Sequence, residues 1–288
     1  MFKPLLASPV DLKLLRFPLL ASTKLDGIRA IVRGGVVFSR SNKPLPNQHV
    51  QEKFGRNDLE HYDGEMIFGP ATAKNVIQAT TSIVMSSNKL GGMDVTFHVF
   101  DHIERLEAPY TRRVQSLIPS NGVLVVEQVE IANLDELSAF EEKALADGYE
   151  GLILRDPNAR YKQGRSTAKE GILLKLKRWV DAEFTVIDFE ERMENTNEKK
   201  VNELGRGQRS SHKAGLVGRG DLGALLVRGA DGVECSVGTG FSDAMRAEIW
   251  RNRKSYLGKL AKVKWFPIGV KDAPRQPVFL AWRDAIDK

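Results

Sequence analysis

"STKLDGIRA", residues Ser22 to Ala30, sets a lysine, a carboxylate, a glycine and an arginine close together. A primary amine beside an acid and a guanidinium suits a nucleophilic lysine, because an amine attacks only when uncharged and its neighbours influence how readily it sheds its proton. Immediately downstream, "AIVRGGVVFSR" (Ala30 to Arg40) carries Gly34-Gly35 between two β-like runs, which predicts a hairpin. Upstream, "MFKPLLASPV" is too short and too broken by proline for a signal peptide. No apolar run approaches the roughly 20 residues that cross a bilayer. Cys235 is the single cysteine, which excludes an internal disulfide and reads as a small buried hydrophobe in a reducing compartment. A cytoplasmic protein is expected.

The chain has 288 residues, 42% hydrophobic and 28% charged, which fits one large or two modest globular domains. Lys and Arg total 43 against 37 Asp and Glu, a net charge of +6, and the distribution says more than the sum. Lys199, Lys200, Arg206, Arg209, Lys213 and Arg219 lie in a stretch rich in Gly, Ser and Asn, and a second basic run follows from Arg251 to Lys264. Two such runs in one half of the chain favour phosphate contact over a merely solvated surface.

The pattern divides the chain into 1–178 and 179–288. In the first part "VTFHVFDHI" (Val95 to Ile103) predicts a buried strand, "EGLILR" (Glu150 to Arg155) another, and "ILLKLKRW" (Ile172 to Trp179) a third. Asn133 caps a helix with Leu134, Leu137, Phe140, Ala144 and Leu145 at helical spacing, stopped by Asp147-Gly148. The fold class is α+β, with antiparallel sheets flanked by helices. The second part reads as about five short strands and one helix, Asp243 to Arg253 capped by Ser242, with a hairpin at Asp231-Gly232. That content suggests a small β-barrel of the OB type.

Several chemistries are excluded. The only Gly-Lys pair, Gly258-Lys259, is followed by Leu260, so no phosphate-binding G-x-x-x-x-G-K-[ST] loop exists. There is no G-x-S-x-G elbow and no Cys/His set with zinc spacing; His98 and His102 fall in a strand-like run, not on one helix face. Lysines and carboxylates remain. Lys175 and Lys177, two apart in a strand, would project from one face of an otherwise apolar run, which is costly unless an anion waits there. Glu65, in "YDGEMIFG", and Glu150 each open a strand-like run after a glycine turn, and such oxygen ligands suit Mg²⁺ accompanying phosphates.

With these residues in view, the sequence resembles the covalent nucleotidyltransferases, the family of DNA ligases, RNA ligases and mRNA capping enzymes. "KLDGIR" looks like that family's first motif, and "DGE" (Glu65), "FHVFD" (Phe100, Asp101), "EGLILR" (Glu150) and "LLKLKR" (Lys175, Lys177) follow in the family's order. "SVGTGFSD" and "PRQPVFLAWRD" resemble late motifs in the OB-fold of ATP-dependent DNA ligases, and "NELGRGQRSSHKAG" looks like a segment of small bacteriophage and viral ligases.

The resemblance implies a nucleotidyltransferase domain over 1–178 and an OB-fold β-barrel over 179–288 with a basic insert at about 194–220. It implies nick sealing through a lysyl-AMP on Lys24 and a DNA-adenylate, with ATP and Mg²⁺ (or Mn²⁺) consumed or bound. Lys24 would be the nucleophile, aided by Asp26, Lys175 and Lys177. Thr23, Arg29, Arg40, Glu65, Phe100, Glu150, Lys175, Lys177 and Arg283 would bind ATP, Phe100 by stacking on adenine and Glu65 through the ribose hydroxyls. Arg275 would join Arg283 at the pyrophosphate. Glu65 and Glu150 would hold the metal. Arg29, Arg40, Lys199, Lys200, Arg206, Arg209 and Lys213 would meet nicked duplex DNA, bound without sequence preference by a monomer. With 23 residues before Lys24, no separate N-terminal DNA-binding domain is expected, and the 194–220 insert, disordered when free, would fold on the duplex. An RNA ligase, a capping-type enzyme and a non-enzymatic DNA-binding protein are the alternative readings.

Overall fold

A computed structural model of the chain describes residues 2–201, 207–210, 212–266 and 274–283. Two compact units divide it, Met1–Lys177 and Arg178–Lys288. No helix among the described residues is long and apolar enough to cross a membrane.

The strands of the first unit are β1 (Ser8–Pro9), β2 (Leu19–Thr23), β3 (Ile28–Arg33), β4 (Val36–Ser39), β5 (Tyr62–Phe68), β6 (Val95–His102), β7 (Val123–Val125), β8 (Val129–Ile131), β9 (Leu152–Arg155) and β10 (Leu173–Leu176). They form two five-stranded sheets, ordered β1-β10-β9-β2-β8 and β4-β3-β5-β6-β7. All pairings are antiparallel except β1 with β10 and β6 with β7. The β3–β4 hairpin turns as expected at Gly34 and Gly35, whose φ angles of 57° and 68° are the left-handed values glycine adopts without penalty.

Each sheet has its own apolar layer. Helices α1 (Gln48–Phe54) and α2 (Val76–Val84) contribute Val50, Phe54 and Val84 to a core with Val32, Met66, Phe97 and Val99. After α3 (Tyr110–Gln115), helix α4 (Leu134–Ala146) lays Leu137 and Ala144 against Leu19, Leu152, Leu154 and Leu174. Asn133 caps α4 by accepting from the Glu136 amide, and the chain leaves through Gly148 at φ 90°. A smaller cluster of Leu5, Ile31, Ile103, Tyr161 and Leu173, drawing on strands of both sheets, joins their facing surfaces. This join leaves a cleft between the sheets, and the site lies there.

In the second unit, β11 (Val180–Asn195), β14 (Leu216–Arg228), β15 (Glu234–Val237), β16 (Leu260–Phe266) and β17 (Arg275–Arg283) form a sheet ordered β15-β14-β11-β16-β17, and β12 (Lys199–Val201) pairs with β13 (Gly207–Arg209). The expected barrel is not closed by continuous pairing among the described residues. Its ends meet at one parallel bridge, Thr239 to Val278. Register shifts near Val186, Glu190 and Glu191 coil the sheet around Phe184, Leu225, Val263 and Phe279. The single expected helix is two, α5 (Asp243–Arg251) and α6 (Arg253–Tyr256), broken at Asn252; Ser242 caps the first as expected. Burial pushes the Cys235 thiol up to about 11, which fits its reading as an inert small hydrophobe.

The basic insert is shorter than 194–220. Asn195 pairs with Leu216 and Glu194 with Val217, so both ends belong to β11 and β14, and the connection covers 196–215. Nor is it free of structure, since β12 and β13 form a two-stranded antiparallel sheet within it.

Candidate active site

Lys24 follows β2 directly. Its amide donates to the Gly151 carbonyl at 2.8 Å, tying the nucleophile candidate to the residue after Glu150. Lys24 Nζ lies 2.5 Å from Glu150 Oε2, and Lys177 Nζ lies 2.5 Å from Glu150 Oε1. One carboxylate thus holds two ammonium groups, one on each oxygen. Burial would raise the Glu150 carboxyl, but Lys24 and Lys177 overcome it and hold the group below the usual carboxylate range.

Both lysines of "LLKLKR" reach the site. Strand β10 ends at Leu176, so Lys175 projects from the strand and Lys177 from the residue just beyond it. Lys175 lines the cavity and Lys177 grips Glu150. Burial, then the nearby Lys24 and Arg165, lower the Lys175 ammonium, with Glu150 opposing.

The cavity, of about 240 Å³, is lined by Thr23, Lys24, Arg29, Glu65, Phe100 and Lys175, among others. Arg40 also lines it, from an exposed turn after β4. Glu65 does not open a strand; it sits in the middle of β5, in register with Arg29 on β3 and His98 on β6. Burial pushes its carboxyl up to about 7, against the pull of Arg29 and Lys24. A carboxyl that keeps its proton near neutrality can donate a hydrogen bond as well as accept one.

Phe100 is not a core residue. It is half-buried on the cavity side of β6, with the Arg29 guanidinium 4.6 Å from its ring centroid. Asp26 follows in the loop between β2 and β3.

Beneath these groups lies a buried charge network that the sequence reading did not assign. Arg29 donates from Nε and Nη2 to Asp63, at 2.5 and 2.6 Å, and Tyr161 Oη donates to Asp63 at 2.9 Å. Asp101 accepts from Arg113 Nε at 2.8 Å and from Arg155 Nη1 at 2.8 Å. Burial alone would lower the Arg29 guanidinium, and Asp63 more than offsets it. The available signal was the one applied to Lys175: Arg155 ends the apolar run "LILR", where a charge is costly without a partner. Arg165, also on the cavity wall and anchored to the Ala7 carbonyl at 2.6 Å, lacked even that signal.

Other expected residues lie elsewhere. Arg283 and Arg275 are on β17 of the second unit, and Arg283 Nε stands 3.8 Å from Glu183. Arg209 Nη1 donates to the Asn195 and Asn197 carbonyls, bracing the base of the β12–β13 hairpin, and Lys213 is exposed. Lys199 and Lys200 are on β12, with side chains outside the described residues, and Arg206 lies outside them altogether.

Among the described residues, no group of three or more His, Cys, Asp or Glu side chains could hold a metal ion. Mg²⁺ needs no such cluster, since it is usually held by one or two carboxylates together with substrate phosphates and water. Glu65 and Glu150 are the carboxylates that would hold it, and both Glu150 oxygens are engaged by Lys24 and Lys177.

Residues 4–177 match the ATP dependent DNA ligase domain, and 217–283 match the DNA ligase OB-like domain. Over 126 residues the chain is 31% identical to the DNA ligase of African swine fever virus (strain Badajoz 1971 Vero-adapted), covering 41% of this chain and 29% of that protein. The chain thus spans under a third of that relative. Among solved structures, Chlorella virus DNA ligase-adenylate is 33% identical, covers 98% of both chains and has a TM-score of 0.55. A Lig E DNA ligase is 25% identical, covers 98% of this chain and all of its own, with a TM-score of 0.74.

Proposed function

Because the chain belongs to the ATP-dependent DNA ligase family, we propose that it seals 5′-phosphate/3′-hydroxyl nicks in duplex DNA at the expense of ATP. The observation that carries the reading is the bridge Lys24–Glu150–Lys177 beside a cavity walled by Glu65, Phe100 and Lys175.

Lys24 Nζ attacks the α-phosphorus of ATP, forming a P–N bond as the bond to pyrophosphate breaks. Glu150 Oε2 is hydrogen-bonded to the Lys24 ammonium and orients Nζ, and the amine attacks once its proton has passed to solvent. Lys175 and Lys177 face the charge that builds on the phosphate and the leaving group. Phe100 stacks on the adenine, and Glu65, protonated up to about pH 7, meets the ribose hydroxyls. Thr23, Arg29 and Arg40 complete the nucleotide and nick-phosphate contacts, with Arg283, and Arg275 at the other end of the same strand, serving the pyrophosphate. Asp26 serves a later step. Glu150, with Glu65, would hold Mg²⁺, which would supply neutralisation of phosphate charge. AMP then passes from Lys24 to the 5′-phosphate of the nick, and attack by the 3′-hydroxyl on that phosphorus expels AMP and closes the strand. A cleft that must accept any nick gains nothing from base-edge contacts, so sequence-independent binding follows. The connection 196–215 with Arg209 and Lys213, and the Lys199, Lys200 and Arg206 it also carries, supplies phosphate contacts.

The test is to strip bound nucleotide from the protein and from Lys24→Ala, mix each with α-labelled ATP or GTP and Mg²⁺, and denature. Label from ATP on the wild type alone, chased onto nicked DNA and released as AMP on sealing, is the expected result. Label from GTP instead turns the reading toward capping chemistry. No label from either in folded protein overturns the proposal.

A further inference from the structure

Between β5 and β6 the register steps from Asp63–Asp101 to Gly64–Val99, so Phe100 is the extra residue of a β-bulge. A bulge leaves its residue without ladder partners and re-aims the side chain. Something other than the sheet has to hold Phe100. Tyr110 Oη donates to its carbonyl at 2.9 Å, and Arg29 and Arg155 place their guanidinium carbons 4.6 and 5.4 Å from its ring centroid.

Arg155 is the informative member. It is 3% exposed, donates to Asp101 at 2.8 Å and stacks 4.4 Å from the Tyr110 ring centroid. Asp101 does not need it for neutralisation, because Arg113 already donates to both carboxylate oxygens, at 2.8 and 3.3 Å. Arg155 is thus a second guanidinium on a carboxylate that Arg113 already pairs. Its other side must find a group of its own, because a buried guanidinium is costly when left without partners. That group is the Phe100 ring on the cavity wall, which Arg155 itself also lines.

We infer that Arg155, together with Tyr110, is a positioning residue that fixes the bulged Phe100 as the stacking surface for the nucleobase. The inference rests on the nucleotide-transfer reading above. Arg155 supplies the flat cation that packs against the ring, Asp101 orients it, and Tyr110 anchors the backbone of the same residue. Lys24, Glu150 and Lys177 are held by separate contacts, so the effect falls on nucleotide binding and not on P–N bond formation.

The experiment follows the rate of protein labelling against ATP concentration for wild type, Arg155→Met, Arg155→Lys and Tyr110→Phe, with melting temperature beside it. Loss of a fixed stacking surface raises KM for ATP about tenfold in Arg155→Met, with kcat within about twofold. Arg155→Lys keeps the charge on Asp101 but lacks the planar fork, so its KM rises as far as that of the methionine variant. Tyr110→Phe, which removes one hydrogen bond, raises KM about threefold. Should Arg155→Met not fold, Tyr110→Phe decides: a raised KM upholds the inference and an unchanged KM overturns it. Unchanged KM in the arginine variants, or kcat falling together with folded protein at constant KM, also overturns it. No labelling of the wild type removes the nucleotide-transfer reading, and this inference with it; labelled wild type with unaffected variants removes the inference alone.

Discussion

Asp63 and Asp101 stand opposite each other in register on β5 and β6, both fully buried, and separate arginines engage them. Like charges facing across a ladder repel, so each depends on its own guanidinium partners. Arg113 also donates to the Ala108 and Ala159 carbonyls. Arg113→Met should therefore destabilise the first unit by about 3–5 kcal/mol, as removal of one partner from a buried pair does. Urea unfolding with a far-UV signal measures it; a loss under about 1 kcal/mol would show that the network relaxes around the gap.

Glu65 gives a pH dependence with a definite sign. Its carboxyl is raised from an ordinary 4.5 to about 7 in the folded protein. Below 4.5 folded and unfolded states are both protonated and nothing is lost. Between 4.5 and about 7 the unfolded chain ionises first, so stability falls as pH rises. Glu65→Gln lacks this fall. The variant should gain on the wild type by up to about 3 kcal/mol between pH 4.5 and 8, read from paired denaturation curves. A constant difference across that range would show that Glu65 ionises normally.

Glu150→Gln removes the charge that holds both Lys24 and Lys177. Labelling by ATP should slow by about a hundredfold or more, a loss of the size expected when one preorganised electrostatic contact is removed. Single-turnover labelling at saturating ATP checks it, and a rate within threefold of wild type would take Glu150 out of the chemistry.

Gly151 has φ 141°, and a Cβ there would collide with the Leu176 carbonyl. Its own carbonyl receives the Lys24 amide. Gly151→Ala should push β9 from β10 and displace Lys24 and Glu150 together, with labelling reduced about a hundredfold, the effect of roughly 1 Å of misplacement. Replacing Gly238 by Ala, where a Cβ makes only ordinary contacts at 3.4 and 3.7 Å in the second unit, provides the comparison and should leave labelling nearly intact.

Replacing 196–215 with a tight turn should spare labelling of Lys24 while weakening binding to nicked DNA. The plot of log K against log salt should become shallower by about 0.9 for every phosphate that the shortened chain no longer neutralises. Equal affinity and slope would place the DNA-binding cations elsewhere on the protein.

Much of the site was legible before folding. Lys175 and Lys177 stood out as charges in an apolar strand-like run, Lys24 by its acidic and basic neighbours, and Glu65 and Glu150 by their place after glycine turns, while Phe100 came from the resemblance to a known series of motifs alone. The cavity gathers four of them, and Glu150 and Lys177 are tied to Lys24 beside it. What escaped notice was the support beneath. Arg155, Arg113, Asp63 and Tyr161 pair across separate strands and loops, and sequence spacing carries no mark of such a pairing. The bulge at Phe100 was hidden too, since burial alternates along β6 without interruption from Val95 to His102.

By itself, then, the sequence determined local conformation: the Gly34-Gly35 turn, the cap of α4 at Asn133, the alternation of β6 and the excess of cations in the second half. These follow from steric and solvation preferences that act over a few residues. Tertiary structure alone decided that Lys24 meets Glu150 across 126 positions, that the ends of the second unit's sheet meet, among the described residues, at the Thr239–Val278 bridge, and that Arg155 lies under Phe100. Register, bulges and buried ion pairs depend on which distant strand arrives opposite, and that is settled when both faces of each sheet find their cores.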